Sequence, residues 1–334
     1  MAVTMNDVAR AAGVSLKTVS NVINNYEFIR PTTKQRVLDA IDELGYETNL
    51  TARSLRSGKT SMIGLVLADL SVPYYAELAS EIMKAAWERG YRVLVEQSGN
   101  EAGHERAALQ GQFRSLTDGL LFIPLALDAG DIITAAGNKP LVLLGEFVED
   151  PRLDMVLIKN HEAAAAVTTH LLAGGRRRIA VLGAVDGDTT GSNGLRLSGY
   201  KAALAAAGVE YDPALVVGCD WRRDGGADAT ARLLDSGVAF DAVFGLNDAL
   251  ALGALHELLV RGKKVPEDVA VAGFDDIDEA RFASPSLTTV APGRAEIAER
   301  AVELLIERIE GKGSIGSVQQ PRAAYALRVR QSAP

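Results

Sequence analysis

Along the first 46 residues the apolar positions fall at helical spacing, interrupted once by a turn. Val8, Ala11 and Ala12 form a small apolar face on a segment opened by Thr4 and Asp7, and Gly13 breaks the pattern. Ser15 then opens a second segment in which Val19, Val22 and Ile23 share one face. Lys17, Ser20 and Asn21 lie on the other face, with Leu16 at the exposed first turn. Two short amphipathic helices joined by a glycine turn predict a helix-turn-helix. A third helix is predicted from Pro31-Thr32-Thr33, with Val37, Leu38, Ile41 and Leu44 inward, Gly45 as its C-terminal cap and Tyr46 packing behind it.

From Met62 the period changes. Met62–Leu67 is a continuous apolar run of the kind a strand buried on both faces requires, and a helical stretch from about Tyr75 to Arg89 follows, closed by Gly90. Strands are predicted at 92–96, 119–123 and 141–144, then in a second half at 178–182, 242–245 and 269–273, with helical stretches between them. This alternation predicts an α/β body of two open, doubly wound parallel sheets. Ligands in such sheets sit beyond the carboxyl ends of the strands, so a site is expected in a cleft between the two.

Composition refines this outline. The 334 residues are 48 % hydrophobic and 23 % charged, enough for more than one core. The net charge is −8, but residues 1–60 carry eight basic and six acidic groups, leaving +2 on the head and −10 on the rest. Such asymmetry suits a nucleic-acid-binding head on a body not drawn to phosphate. The single cysteine, Cys219, excludes an internal disulfide framework and fits a reducing compartment. The chain opens directly into the helix-turn-helix, and no stretch approaches the roughly 18 apolar residues of a membrane span. A soluble, cytoplasmic protein without membrane partners is expected.

The second helix has the chemistry of a major-groove reader. Lys17 can donate to guanine, Asn21 can bridge adenine, and Leu16 can touch a thymine methyl. Ser15 caps the helix and leaves free N–H groups for a phosphate. The plain alternative is a solvated face on a small helical hairpin. The segment from Asn49 to Lys59 is too short to hold as an isolated helix and suits a linker that folds when something holds it. A leucine there, Leu55, can wedge between base steps in the minor groove.

In the body, the residues just past the strand ends are Pro73-Tyr74-Tyr75, Glu146, Arg196, Asp220-Trp221, Asn247-Asp248 and Asp275-Asp276. Arginine, asparagine and aspartate suit hydroxyl groups, and an aromatic face such as that of Trp221 suits the C–H face of a sugar ring. Each alone could be a surface, turn or core residue, but their convergence on strand ends points to a binding cleft.

These motifs together resemble the lac/gal repressor family of bacterial transcription regulators. The head carries Thr4-Met5-Asn6-Asp7-Val8-Ala9, Ala12-Gly13-Val14-Ser15, Thr18-Val19-Ser20, Val22-Ile23-Asn24, Gly45-Tyr46 and Ala52-Arg53-Ser54-Leu55. The body carries Leu246–Gly253, Val265–Val269, Gly273-Phe274-Asp275-Asp276 and Pro285–Val290. The resemblance implies a periplasmic-binding-protein-like core and a hinge helix that folds on operator DNA. It implies DNA contacts from Thr4, Ser15, Leu16, Lys17, Thr18, Ser20, Asn21, Asn49, Ala52 and Leu55. It implies effector contacts from Arg196, Asn247 and Asp275, with Trp221 where some sugar-responsive members place an aromatic; Tyr74, Tyr75 and Glu146 complete the expected site. Two departures stand out: Glu47-Thr48 occupies the place of a usual hinge proline, and Lys159-Asn160 that of a common Asp-Asn.

The implied organisation is a head at 1–48, a hinge at 49–60, one subdomain at 61–158 with 291–320, and another at 159–290 with 321–334. No heptad helix follows Leu327, so a homodimer on a pseudo-palindromic operator is expected. The implied function is a repressor whose operator affinity answers to a small molecule, a sugar above all, with no cofactor. A catalytic role finds no support: there is no P-loop, GxGxxG after a strand, GxSxG or CxxC, and His104, His161, His170 and His256 lack metal-ligand spacing. A plain sugar-binding protein would not need the head.

Overall fold

The computed structural model describes residues 3–23, 26, 28–46, 59–146, 148, 150–312 and 318–334. The chain divides into two compact units, 1–60 and 61–334.

The head holds three helices, α1 (Met5–Ala12), α2 (Leu16–Ile23) and α3 (Pro31–Leu44). Gly13 makes the turn between the first two in the left-handed region, at φ 62°, where a Cβ would be disfavoured. Pro31 stands at the start of α3, where its missing N–H costs nothing. Val8, Ala9, Ala12, Val19, Val22, Val37 and Ala40 form the core, with Tyr46 packed against it. Two expectations are corrected. Leu38 is exposed because the buried stripe of α3 runs through Val37 and Ala40, and Leu38 lies a further 100° round the helix. Ala9, rather than Ala11, faces the core of α1.

The body contains two six-stranded sheets. The first has the order β11-β5-β4-β3-β1-β2, all parallel. Its strands are β1 (Met62–Leu67), β2 (Arg92–Gln97), β3 (Gly119–Phe122), β4 (Leu141–Leu144), β5 (Met155–Ile158) and β11 (Arg322–Ala323). The second has the order β12-β10-β9-β8-β6-β7, parallel except for β12. It comprises β6 (Ile179–Leu182), β7 (Val216–Val217), β8 (Ala242–Gly245), β9 (Ala270–Phe274), β10 (Thr288–Ala291) and β12 (Ala326–Arg328). The helices that position the site are α4 (Pro73–Glu88), α8 (Asn160–Ala173), α9 (Gly191–Ala206), α10 (Arg223–Ser236), α11 (Asp248–Val260) and α13 (Arg294–Ile309).

The chain passes between the sheets three times: from β5 into α8, from β10 into α13, which packs on β3, β4 and β5, and from β11 into β12. Arg322 and Ala323 pair with Leu157 and Ile158 in the first sheet, so the third passage follows Ala323 rather than residue 321. Strands β5, β7, β10, β11 and β12 were not among the expected ones. β7, β11 and β12 have only two or three residues, too few for a periodic signal, while β5 and β10 lie at the passages between the sheets, outside the regular strand–helix alternation.

Candidate functional site

In the head, Ser15 caps α2: its Oγ accepts from the Thr18 backbone N–H at 3.1 Å and lies 2.9 Å from the Thr18 hydroxyl. Asp7 ties the start of α1, accepting from the Thr4 N–H at 3.0 Å and the Thr4 hydroxyl at 2.6 Å. With Val19 and Val22 turned into the core, α2 leaves Leu16 and Lys17 exposed and Thr18, Ser20 and Asn21 half-buried. Asn49, Ala52 and Leu55 lie outside the described residues.

In the body, a cleft of about 660 Å³ is lined by all seven expected residues: Tyr74, Tyr75, Glu146, Arg196, Trp221, Asn247 and Asp275. Each comes from just past a strand or from the helix that follows it. Tyr74 and Tyr75 stand in the first turn of α4 after β1, their rings edge-on with centroids 5.7 Å apart. Glu146 follows β4, Arg196 lies on α9 after β6, Trp221 follows β7, Asn247 follows β8 and Asp275 follows β9.

The second-sheet side of the cleft is held by its own hydrogen bonds. Asn247 caps α11, its Oδ1 accepting from the Leu250 N–H at 2.8 Å, and its Nδ2 donates to the Trp221 carbonyl at 3.1 Å. The Trp221 indole donates to the Gly183 carbonyl at 2.8 Å. Arg196 is buried and stacks with its guanidinium carbon 3.6 Å from the Phe274 ring centre and 5.6 Å from that of Trp221. Its Nε donates to Asn160 Oδ1 at 2.7 Å and its Nη1 donates to the Leu246 carbonyl. Among the described residues nothing accepts from Nη2, the remaining edge of a side chain that lines the cleft. Asp275 is 5 % exposed and held at φ 122°, and no described residue donates to its carboxylate.

Burial dominates the electrostatics. It pushes the Asp275 carboxyl up to about 7, against the opposing pull of Arg196 and Arg294. It pushes Glu146 up to about 7 as well, opposed by hydrogen bonds from Ile158 and Asn160 and by Arg196 and Arg322. It raises Tyr75 to about 12, with Asp275 adding to the rise, and raises Tyr74 further. Arg196 is lowered by burial and supported by Asp275. Buried groups that keep hydrogen-bonding capacity facing a cavity mark a place where a polar ligand would complete them.

Two other strand-end carboxylates do different work. Asp248 is buried and accepts from the Ile277 N–H at 2.9 Å and from the Thr289 hydroxyl, which ties α11 to β10. Asp276 pairs with Arg330 at 2.6 Å. The cleft also recruits Asp69, Gln97, Asn100, Asn193 and Arg222, which sequence reasoning passed over. Asp69 and Arg222 form an ion pair between the segment after β1 and the start of α10. Asp69 lies two residues past β1, so the strand-end rule applied to every strand would have found it.

Residues 4–49 match the model for bacterial regulatory proteins of the lacI family. Residues 168–333 match that for a periplasmic binding protein-like domain. The chain belongs to the LacI family. Within that family it is 32 % identical over 311 residues to the HTH-type transcriptional repressor PurR of Mannheimia succiniciproducens, covering 92 % of each chain. A structure described as the transcriptional regulator CelR–cellobiose complex shares 32 % identity over 99 % of both chains, with a TM-score of 0.73. A structure of the Lac repressor dimer bound to operator and the anti-inducer ONPF shares 25 % identity over 100 % of this chain and 99 % of that one, with a TM-score of 0.86. The chain is thus a DNA-binding transcriptional regulator with an effector-binding core, and not an enzyme. No helix among the described residues is long and apolar enough to cross a membrane, and none of their His, Cys, Asp and Glu side chains cluster as a metal site would require.

Proposed function

We propose that this chain is a repressor that binds a pseudo-palindromic operator as a homodimer and releases or tightens its grip when a sugar occupies the cleft. Leu16, Lys17 and Asn21 read base edges. Thr4, Ser15, Thr18 and Ser20 set the register on the phosphates, and Asn49, Ala52 and Leu55 belong to a hinge that orders on DNA. In the cleft, Arg196, Asn247 and Asp275 take the hydroxyls, while Tyr74, Tyr75 and Trp221 supply apolar walls.

The observation that carries the sugar reading is that, among the described residues, Arg196 Nη2 is a donor without an acceptor and the Asp275 carboxylate an acceptor without a donor, both lining the cleft. Hydroxyl groups both donate and accept, so neighbouring ring hydroxyls satisfy both at once. The tyrosines and Trp221 match the C–H face of the same ring. A purine base is the second reading, favoured by the similarity to PurR. The polar rim of Asp69, Asn100, Asn193 and Asp220 favours the sugar.

Selection of binding sites from a random duplex pool tests the output end. The full chain is expected to recover an inverted repeat, and Lys17→Ala or Asn21→Ala to relax preference at particular positions within each half-site. Recovery of no sequence preference, or an unchanged preference in both variants, would refute the assignment of α2 as the reader.

A further inference from the structure

Glu146 reaches past the cleft to the passage between the two sheets. Its Oε1 accepts from the Ile158 N–H at the end of β5, and its Oε2 accepts from Asn160 Nδ2 at the start of α8. Asn160 Oδ1 in turn accepts from Arg196 Nε at 2.7 Å. All three side chains are buried, Glu146 at 2 %, Asn160 at 1 % and Arg196 at 4 % exposure.

The polarity of this chain of bonds is fixed by its ends. An ionised carboxylate only accepts and a guanidinium only donates, so the Asn160 amide can stand in one orientation alone, nitrogen toward Glu146 and oxygen toward Arg196. With Nε taken by Asn160, Nη1 by the Leu246 carbonyl and the guanidinium face laid on Phe274, the guanidinium plane has no freedom left. The one edge that remains is Nη2. Both Glu146 oxygens are engaged in this work.

We propose that Glu146 and Asn160 are positioning residues, which orient Arg196 for the cleft ligand and do not themselves bind it. This refines the role of Glu146 within the proposed cleft and rests on that reading. It follows that a residue of the first sheet sets the geometry of a ligand group carried by the second. Asn160, the first residue of α8 at this passage, carries the relay. Proton uptake by Glu146 would weaken the arrangement, because a neutral carboxyl accepts more weakly from Ile158 and Asn160 than a carboxylate does, while Arg196 still holds the amide in the same orientation. Glu146 is poised for this by burial, and the charged groups facing it are Arg196 and Arg322.

The test needs no ligand. With Trp87→Phe in place, Trp221 is the one tryptophan of the chain, and its ring centre lies 5.6 Å from the Arg196 guanidinium carbon. In this background Arg196→Ala shifts the emission maximum of the ligand-free full chain. Asn160→Leu and Glu146→Gln are expected to reproduce most of that shift and to add nothing in the Arg196→Ala background. Glu146→Gln keeps the volume and the acceptor for Ile158, so it carries the cycle if Asn160→Leu does not fold. Emission unchanged in folded single variants, or shifts that add in full to that of Arg196→Ala, would overturn the proposal. Because no ligand enters, a cleft that proves to bind no sugar leaves this result standing.

Discussion

Arg294 donates through Nη1 to the Asp275 carbonyl oxygen at 2.6 Å, so it grips the backbone of a residue whose carboxylate is left free. The same nitrogen donates to the Asp276 carbonyl at 3.0 Å, and Nη2 pairs with Glu77 on α4. Glu77 also accepts from the Asp278 N–H at 2.8 Å. Asp275 and Asp276 both adopt positive φ, which non-glycine residues hold only when their surroundings impose it. Arg294→Ala is expected to lower stability by about 1.5–3 kcal/mol, the range for hydrogen bonds to a charged group. Urea denaturation of the full chain checks this, and Arg294→Lys should recover only part of the loss because one ammonium cannot serve both carbonyls and Glu77.

Glu146 and Asp275 set a pH dependence. Their carboxyls titrate at about 7 in the fold, against about 4 in an unfolded chain. Between those values the folded state holds the more protons, so the stability they contribute is present at the acid end and is lost as pH rises through about 7. The melting temperature of the ligand-free protein is expected to carry a falling component from about pH 5 to about pH 8. Glu146→Gln with Asp275→Asn should flatten it, and an unchanged slope in the double variant would count against the burial of both groups.

Removing the cap of the reading helix separates folding from recognition. Ser15→Ala deletes the acceptor for the Thr18 N–H and is expected to cost about 1 kcal/mol in head stability. Lys17→Ala, on an exposed side chain, should leave stability unchanged while altering DNA preference. Circular dichroism melts beside binding-site selection distinguish the two behaviours.

Helices α10 and α11 approach through Gly253. A Cβ built there would stand 1.9 Å from the Arg223 carbonyl oxygen and 2.8 Å from the Ala227 nitrogen. Gly253→Ala must therefore push the helices apart and is expected to destabilise the body by about 1–3 kcal/mol. Chemical denaturation reads this directly, and a neutral result would mean that the two helices are not held in contact.

The long apolar runs were legible because burial on both faces of a parallel sheet demands them: Met62–Leu67, Leu141–Leu144 and Ala242–Gly245 stand where sequence reading put them. β11 escaped because two residues carry no pattern, and its place in the first sheet is decided by pairing with β5, about 165 residues away. Arg196 and Asp275 were legible as polar residues at strand ends. What makes them a pair was not, since the missing partners of Nη2 and of the carboxylate depend on what Asn160, Leu246 and Arg294 already occupy. Leu38 misled for a related reason: the buried stripe of α3 passes through Val37 and Ala40, and only the packing of the three helices decides which of two adjacent apolar positions it takes.

The central claim is that the cleft takes a polyhydroxyl ligand through Arg196 and Asp275. Titration calorimetry of the full chain with neutral mono- and disaccharides and with purine bases tests it most directly. A saccharide is expected to bind, and Arg196→Ala and Asp275→Asn each to weaken it at least tenfold, the equivalent of roughly 1.4 kcal/mol. Binding of a purine base alone, or saccharide binding that neither substitution alters, would contradict it.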